Sequence, residues 1–250
     1  MVPFGLPGIR NERIRSKMRC FYNAGFITIS KKMLNSFLKK RKYKKRYSEN
    51  DFPGLDAISL KQKEIYGEQE PVHYATIVPY ELGGEDPLWA VECYNSTRQD
   101  AHFHFMTIGF SNLFYDEDAI DDEYSGFGFE ITFRHLPFND DPEKPIWAVN
   151  FLQNIAKYVF ESGKGFDDFH FMSANGPIRS ETETDITAFT FVTDAEMGEI
   201  NTPHGKVKFL QLFGITSQEY IDIKNKIYTA KELTERQKTN NPLLITDLTR

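Results

Sequence analysis

Apolar and polar positions alternate with a period of two across two stretches of this chain, His102–Thr107 and Phe127–Arg134. On a strand, His102, His104 and Met106 face one way, and Phe103, Phe105 and Thr107 the other. In the second stretch Phe127, Phe129, Ile131 and Phe133 share one face. Gly128, Glu130, Thr132 and Arg134 share the opposite one, which predicts a half-buried strand with its apolar face on a core. Between the two lie Gly109, Gly126 and a loop with six carboxylates in the eight positions 116–123. The span from His102 to Leu136 therefore reads as a hairpin-like unit around which the rest is organised.

The strongest helical pattern is Ile146–Ser162, opened by Pro145 and stopped by Gly163. Trp147, Phe151, Ile155, Tyr158 and Val159 form its apolar stripe. A second helix is expected over Leu55–Tyr66, ended by Gly67, and a third over Ser217–Asn225 with Ser217 as N-cap. Strands are expected at His73–Val78, Trp89–Tyr94, Phe169–Ser173, Ile186–Thr193 and Val207–Ile215, with a last one at Leu243–Leu248. Residues 229–241 are polar and are expected to end in a loop. Helices and strands intermix without a regular βαβ repeat. The expected fold is a single α+β domain with a mixed, largely antiparallel β-sheet packed by helices.

Charge divides the chain in two. Residues 1–50 carry 14 Lys or Arg against two acids, and residues 51–250 carry 16 against 34. The first part is net +12 and the second net -18, which predicts a basic, flexible N-terminal extension (1–50) and an acidic body (51–250). Lys39–Arg46, KKRKYKKR, reads either as part of a solvated, disordered extension or as an electrostatic handle for nucleic acid, an anionic membrane or an acidic partner, and like charges at i,i+4 oppose a helix over Ile29–Lys45. No run approaches the roughly 20 apolar residues of a membrane span. Two cysteines, Cys20 and Cys93, without metal-ligand spacing, fit a reducing, cytoplasmic compartment. Cys93 reads as a buried small hydrophobe.

Candidate chemistry is sparse. His102 and His104 at i,i+2 could chelate a metal, but a site needs further ligands and the remaining histidines are scattered. Glu130 and Arg134 read as a pair on an exposed strand face, or as cross-strand partners. No nucleophile elbow, P-loop or zinc-protease motif occurs. Neither catalysis nor a cofactor is expected. The acidic loop is the better candidate: Asp116, Glu117, Asp118, Asp121, Asp122 and Glu123, flanked by Tyr115 and Tyr124, form an aromatic-edged contact surface. Such a surface steers in a basic protein partner and repels nucleic acid.

Several segments, in order, resemble the suppressor of fused family. They are Pro53–Ile58 (PGLDAI), Tyr80–Leu88 (YELGGEDPL), His102–Phe105 with Gly109–Leu113, Ser125–Arg134 (SGFGFEITFR), and Trp147 with Leu152-Gln153 and Tyr158–Phe160. Asn175–Pro177, Thr202-Pro203 through Phe209–Gln211, and Leu244–Leu248 complete the match, which spans about residues 53–250. The resemblance implies the fold of the N-terminal half of the animal protein. In animals that protein sequesters Gli-type transcription factors, with a factor peptide held between this half and a C-terminal domain. The peptide touches the acidic, aromatic region before SGFGFE, where Asp122 stands at a comparable place and Phe114 stands where the animal pattern has Tyr. With one domain matched, the two-domain clamp is not expected here. Stand-alone copies are typical of bacteria, where the resemblance implies an immunity protein that binds a cognate toxin. The expectation is a non-catalytic bacterial immunity protein, acting on a toxin such as a basic nuclease, with no small-molecule substrate. The alternatives are a metal-dependent or acid/base enzyme using His102, His104 and Glu130, and a general interaction module tethered by its basic tail.

Overall fold

The computed structural model describes residues 34–138 and 145–250, except the side chains of Glu81 and Asp121. The chain divides into two compact units after Arg46. In the first, residues 34–46 form helix α1. The expected start of that helix, Ile29, lies outside the described residues, as do Cys20 and most of the basic extension.

In the unit Tyr47–Arg250, α2 (Pro53–Tyr66) begins with its proline in the first turn and ends at Gly67, φ +63°. Strands β1 (Val72–Ala75), β2 (Ala90–Ser96), β3 (His102–Ile108) and β4 (Tyr124–His135) follow. Helix α3 (Ile146–Ser162) then leads to β5 (Phe171–Ser173), β6 (Ile186–Thr193), β7 (Glu199–Thr202) and β8 (Gly205–Thr216). Helices α4 (Ser217–Lys224) and α5 (Ala230–Lys238) come last.

The strands form one eight-stranded sheet in the order β1-β2-β3-β4-β8-β6-β5, with β7 paired to the start of β8. Only β4 and β8 among them run parallel. The expected α+β fold, with a largely antiparallel sheet packed by helices, is the observed one.

Alternation sends successive residues to opposite faces of this sheet, and both faces are covered. Phe105, Ile131, Phe133, Phe191 and Leu212 meet Leu152, Ile155 and Val159 of α3. Met106, Val207 and Phe209 meet Ile58 of α2 on the other face. Further along that face, Phe213 and Ile215 meet Ile223 of α4 and Leu233 of α5. Burying one such Leu or Phe contributes roughly 1.5–3 kcal/mol. The reading of β4 as half-buried is therefore corrected: from Phe129 to His135 every residue is buried.

One further helix and one overturned expectation remain. The polar stretch 229–241 does end in a loop, but before it Ala230–Lys238 is helical. Its start carries a capping box in which the Thr229 hydroxyl accepts from the Glu232 N–H and the Glu232 carboxylate accepts from the Thr229 N–H. A Thr-x-x-Glu signal was present in the sequence, and Ala230 and Leu233 supply a narrow buried stripe. Leu243–Leu248 is not a strand but makes a single bridge, His135 to Thr246. Leu244 has φ +47°, and the carbonyls of Leu243 and Leu244 both accept from the Gln211 side chain, which fixes a bend instead of a ladder. Cys93 is buried as expected, and burial pushes its thiol up to about 12.

Candidate functional site

The start of the acidic loop is held from inside the sheet. Glu130 is fully buried in β4. Its carboxylate accepts from the Thr107 hydroxyl (2.7 Å), the Gly109 N–H (3.1 Å), the Ser111 N–H (3.0 Å) and the Ser111 hydroxyl (2.6 Å). Burial pushes this carboxyl above its ordinary value, and the four donors counter the shift. The Thr107 hydroxyl also accepts from the Ile131 N–H at 2.8 Å. One buried side chain thus ties the end of β3 and residues 109–111 to β4.

The segment before Glu130 continues the clamp. The Ser125 hydroxyl accepts the Asn112 N–H at 2.9 Å, and the Phe127 N–H donates to the Phe110 carbonyl at 2.9 Å. That approach requires glycine at 126, where φ is +58° and a Cβ would lie 2.5 Å from the Phe110 oxygen. His204 Nδ1 donates to the Asn112 carbonyl at 3.0 Å. The sequence Ser-Gly-Phe-Gly-Phe-Glu is therefore the strand side of a loop anchor.

Beside this anchor opens a cleft of about 420 Å³. Trp89, Phe110, Phe114, Phe127 and Phe160 line it, and Tyr115 and Asp116 stand at its mouth. Its rings meet mostly edge-on or tilted: Phe110–Phe127 at 6.1 Å, Phe127–Phe160 at 5.0 Å and Trp89–Phe114 at 4.5 Å. From the cleft the chain passes into the acidic loop, where Asp116, Asp118, Asp122, Glu123 and Tyr124 are exposed and Tyr115 and Glu117 half-buried. The Asp121 side chain lies outside the described set. A short 3₁₀ turn, Ala119–Asp121, closes the loop on the buried Ala119. The arrangement combines an apolar recess with a rim of carboxylates.

The second polar network lies under α2 and contains the sequence-predicted histidines. Arg134, fully buried, donates to Asp194 through Nε and Nη2 (3.2–3.3 Å) and to His102 Nε2 through Nη1 (3.0 Å), with Glu196 2.9 Å from Nη2. His102 Nδ1 donates to the Asp100 carbonyl at 2.7 Å. His104 Nδ1 accepts from the Tyr66 hydroxyl at 2.6 Å, and its Nε2 faces Asp194 at 3.2 Å. These partners assign one proton to each ring. Burial, reinforced by the Arg134 charge, pushes His104 down to about 4, and burial lowers His102 as well. Asp194, which also accepts from the Thr132 hydroxyl and the Glu196 and Met197 N–H groups, is held well below the usual carboxylate range. Desolvation opposes that shift, and the facing His104 and Arg134 outweigh it.

These contacts correct the reading of Glu130 and Arg134 as an exposed pair. Both are fully buried and belong to different networks, since α2 and the turn at Asp194 cover the face that alternation alone assigns to solvent. Nor do His102, His104 and Glu130 converge on one site. Both ring nitrogens of His102 are hydrogen-bonded, and the partner of its Nε2 is a guanidinium, which disfavours a cation there, while His104 Nδ1 is bonded to Tyr66 and its Nε2 lies 3.2 Å from Asp194. Among the described residues no group of three or more His, Cys, Asp or Glu is placed to hold a metal, and no helix is long and apolar enough to cross a membrane. Sequence reasoning missed Trp89 and Phe160 as cleft walls and Asp194 as the partner of Arg134. Their separation along the chain left no local signal.

Comparison with known proteins places this geometry. The family model for Suppressor of fused protein (SUFU) matches residues 84–250. The human suppressor of fused homolog is 32% identical over 211 residues, covering 79% of this chain and 43% of its own length, and the mouse protein gives the same figures. The chain thus spans less than half the length of these relatives. Among solved structures, a chain of the Sufu–Fu complex aligns with a TM-score of 0.71 at 27% identity, over 80% of this chain and 92% of that one. Drosophila Suppressor of Fused aligns with a TM-score of 0.70 at 27% identity, over 81% and 51%. A putative homolog from Neisseria gonorrhoeae shares the fold, with a TM-score of 0.51 at 13% identity over 79% and 94%.

Proposed function

This chain belongs to the suppressor of fused family, and from that premise we propose that its body is a non-catalytic protein-binding domain whose contact surface is the aromatic cleft and its acidic rim. The carrying observation is the cleft lined by Trp89, Phe110, Phe114, Phe127 and Phe160, which opens beside Tyr115–Tyr124. Aromatic recesses that exclude water, ringed by charge, are the usual anchor points of protein interfaces. The Glu130 clamp pre-organises the surface, which lowers the ordering cost of association. A chain of similar extent in the Sufu–Fu complex supports the binding role.

In its finer form the proposal is a cytoplasmic bacterial immunity protein that neutralises a cognate toxin by steric and electrostatic blockade. The net charge of -18 over residues 51–250 supports a basic partner such as a nuclease, because it accelerates encounter and opposes contact with nucleic acid. The rim residues are Tyr115, Asp116, Glu117, Asp118, Asp121, Asp122, Glu123 and Tyr124.

The test is co-expression of the full chain with each neighbouring toxin-like gene product, scored by cell survival and co-purification. Rescue with a stable complex is expected. Neutralising Asp121, Asp122 and Glu123 together slows association with the captured partner and flattens its salt dependence. Unchanged kinetics would remove the rim from the interface, and failure with every neighbour would retire the immunity role.

A further inference from the structure

We propose that helix α1, residues 34–46, docks on an anionic phospholipid surface. This goes beyond the binding surface above and concerns a different unit of the chain. At 100° per residue, Leu34, Phe37, Leu38, Arg41, Lys42 and Lys45 fall on one face of the helix, at i, i+3, i+4, i+7, i+8 and i+11. All six are exposed, the apolar three strongly so: Leu34 58%, Phe37 64% and Leu38 44%. Tyr43, on the opposite side, is buried at 5%. Over the described part of the helix this exposed face is apolar at residues 34–38 and cationic at residues 41–45.

A bilayer rich in anionic headgroups uses both halves of that face. Lys and Arg gain from the negative surface potential while Phe and Leu enter the boundary between headgroups and acyl chains. A nucleic acid would satisfy the cations through phosphates but would leave three large apolar side chains in water. The seven cations in Lys39–Arg46 give the charge complementarity. They also set the binding mode, in which the helix lies in the plane of the surface with its cations at the headgroups.

The experiment is co-sedimentation of the full chain with phosphatidylcholine vesicles and with mixed phosphatidylcholine–phosphatidylserine vesicles, at low and high salt. Binding to the mixed vesicles alone, weakened by salt, is expected. The variant Arg41→Gln/Lys42→Gln/Lys45→Gln should lower partitioning roughly a hundredfold, from a factor of about five per cation. Phe37→Ala/Leu38→Ala should lower it roughly ten- to a hundredfold, since about half of each side chain is exposed to enter the bilayer. In Phe37→Trp the added indole should shift its emission to the blue on mixed vesicles and not on a single-stranded RNA. Equal binding to neutral vesicles, or no vesicle binding, overturns the proposal. So does unchanged partitioning of Phe37→Ala/Leu38→Ala. Tighter binding to RNA than to mixed vesicles, with the emission of the added indole unshifted, overturns it in favour of a nucleic-acid handle.

Discussion

Ser111 gives both its backbone N–H (3.0 Å) and its hydroxyl (2.6 Å) to the carboxylate of Glu130, a residue 19 positions later in the centre of the sheet. This couples the fold to the surface, because the loop that shapes the aromatic cleft is held by a charge that cannot leave the core. Replacing Glu130 by Ala leaves the Gly109 and Ser111 N–H groups buried without an acceptor. The expected loss is about 3–5 kcal/mol of stability, read from urea midpoints. Amides of residues 109–113 should lose hydrogen-exchange protection before those of α3.

Gly54 opens the same anchor from the α2 side. A Cβ there would sit 1.9 Å from the Asn112 carbonyl oxygen, and the Gly54 N–H donates to the Leu113 carbonyl at 3.0 Å. Gly54→Ala is expected to cost about 2–3 kcal/mol, because backbone and not a flexible side chain must give way. Asp56→Ala, an exposed position two residues on, should cost under about 1 kcal/mol. Equal melting temperatures for the two variants would remove Gly54 from the anchor.

Phe127 stands between Phe110 and Phe160 and is about one-third exposed. Phe127→Ala should widen the cleft at a modest cost in stability. It should weaken partner binding by about 2 kcal/mol, roughly thirtyfold, mainly through faster dissociation. A surface-plasmon comparison with the captured partner reads this directly, and unchanged dissociation would place the anchor elsewhere.

The Arg134–Asp194 pair is buried on both sides. Arg134→Met leaves the Asp194 carboxylate with neutral donors only, and the expected destabilisation is about 3–5 kcal/mol. Arg134→Lys keeps the charge but loses the fork, so it should recover only part of this. A double-mutant cycle with Asp194→Asn should return a coupling of at least about 1 kcal/mol, and additivity within error would dissolve the pair.

His104, lowered to about 4 from 6.5 by burial and by the Arg134 charge, makes stability depend on pH. Between those values the unfolded chain binds the proton and the folded chain does not, so stability falls as pH falls through that window. The upper bound is about 3 kcal/mol. His102, also lowered, acts with the same sign. Glu130, held above its ordinary value, acts with the opposite one. Asp194 loses its contribution only below the ordinary carboxylate range. Urea midpoints across the window should therefore decline less steeply in His104→Gln than in the parent.

The local pattern determined much of this protein. Period-two alternation placed β3 and β4, strand-forming runs placed β6 and β8, and Pro145, Gly163 and an apolar stripe bounded α3, because these elements follow from neighbours within a few residues. The segments around SGFGFE carried the family resemblance, since a left-handed glycine and a buried acid must stand at fixed offsets to build the anchor. Tertiary structure decided the rest. Alternation says that the two faces of β4 differ in polarity, but not which of them meets water. Glu130 and Arg134 are buried because α2 and the turn at Asp194, far away along the chain, pack over them. The parallel pairing of β4 with β8 and the closure of the cleft by Trp89 and Phe160 likewise arise from contacts between distant segments. Such contacts form only when the whole sheet is assembled, and no window of sequence contains both partners.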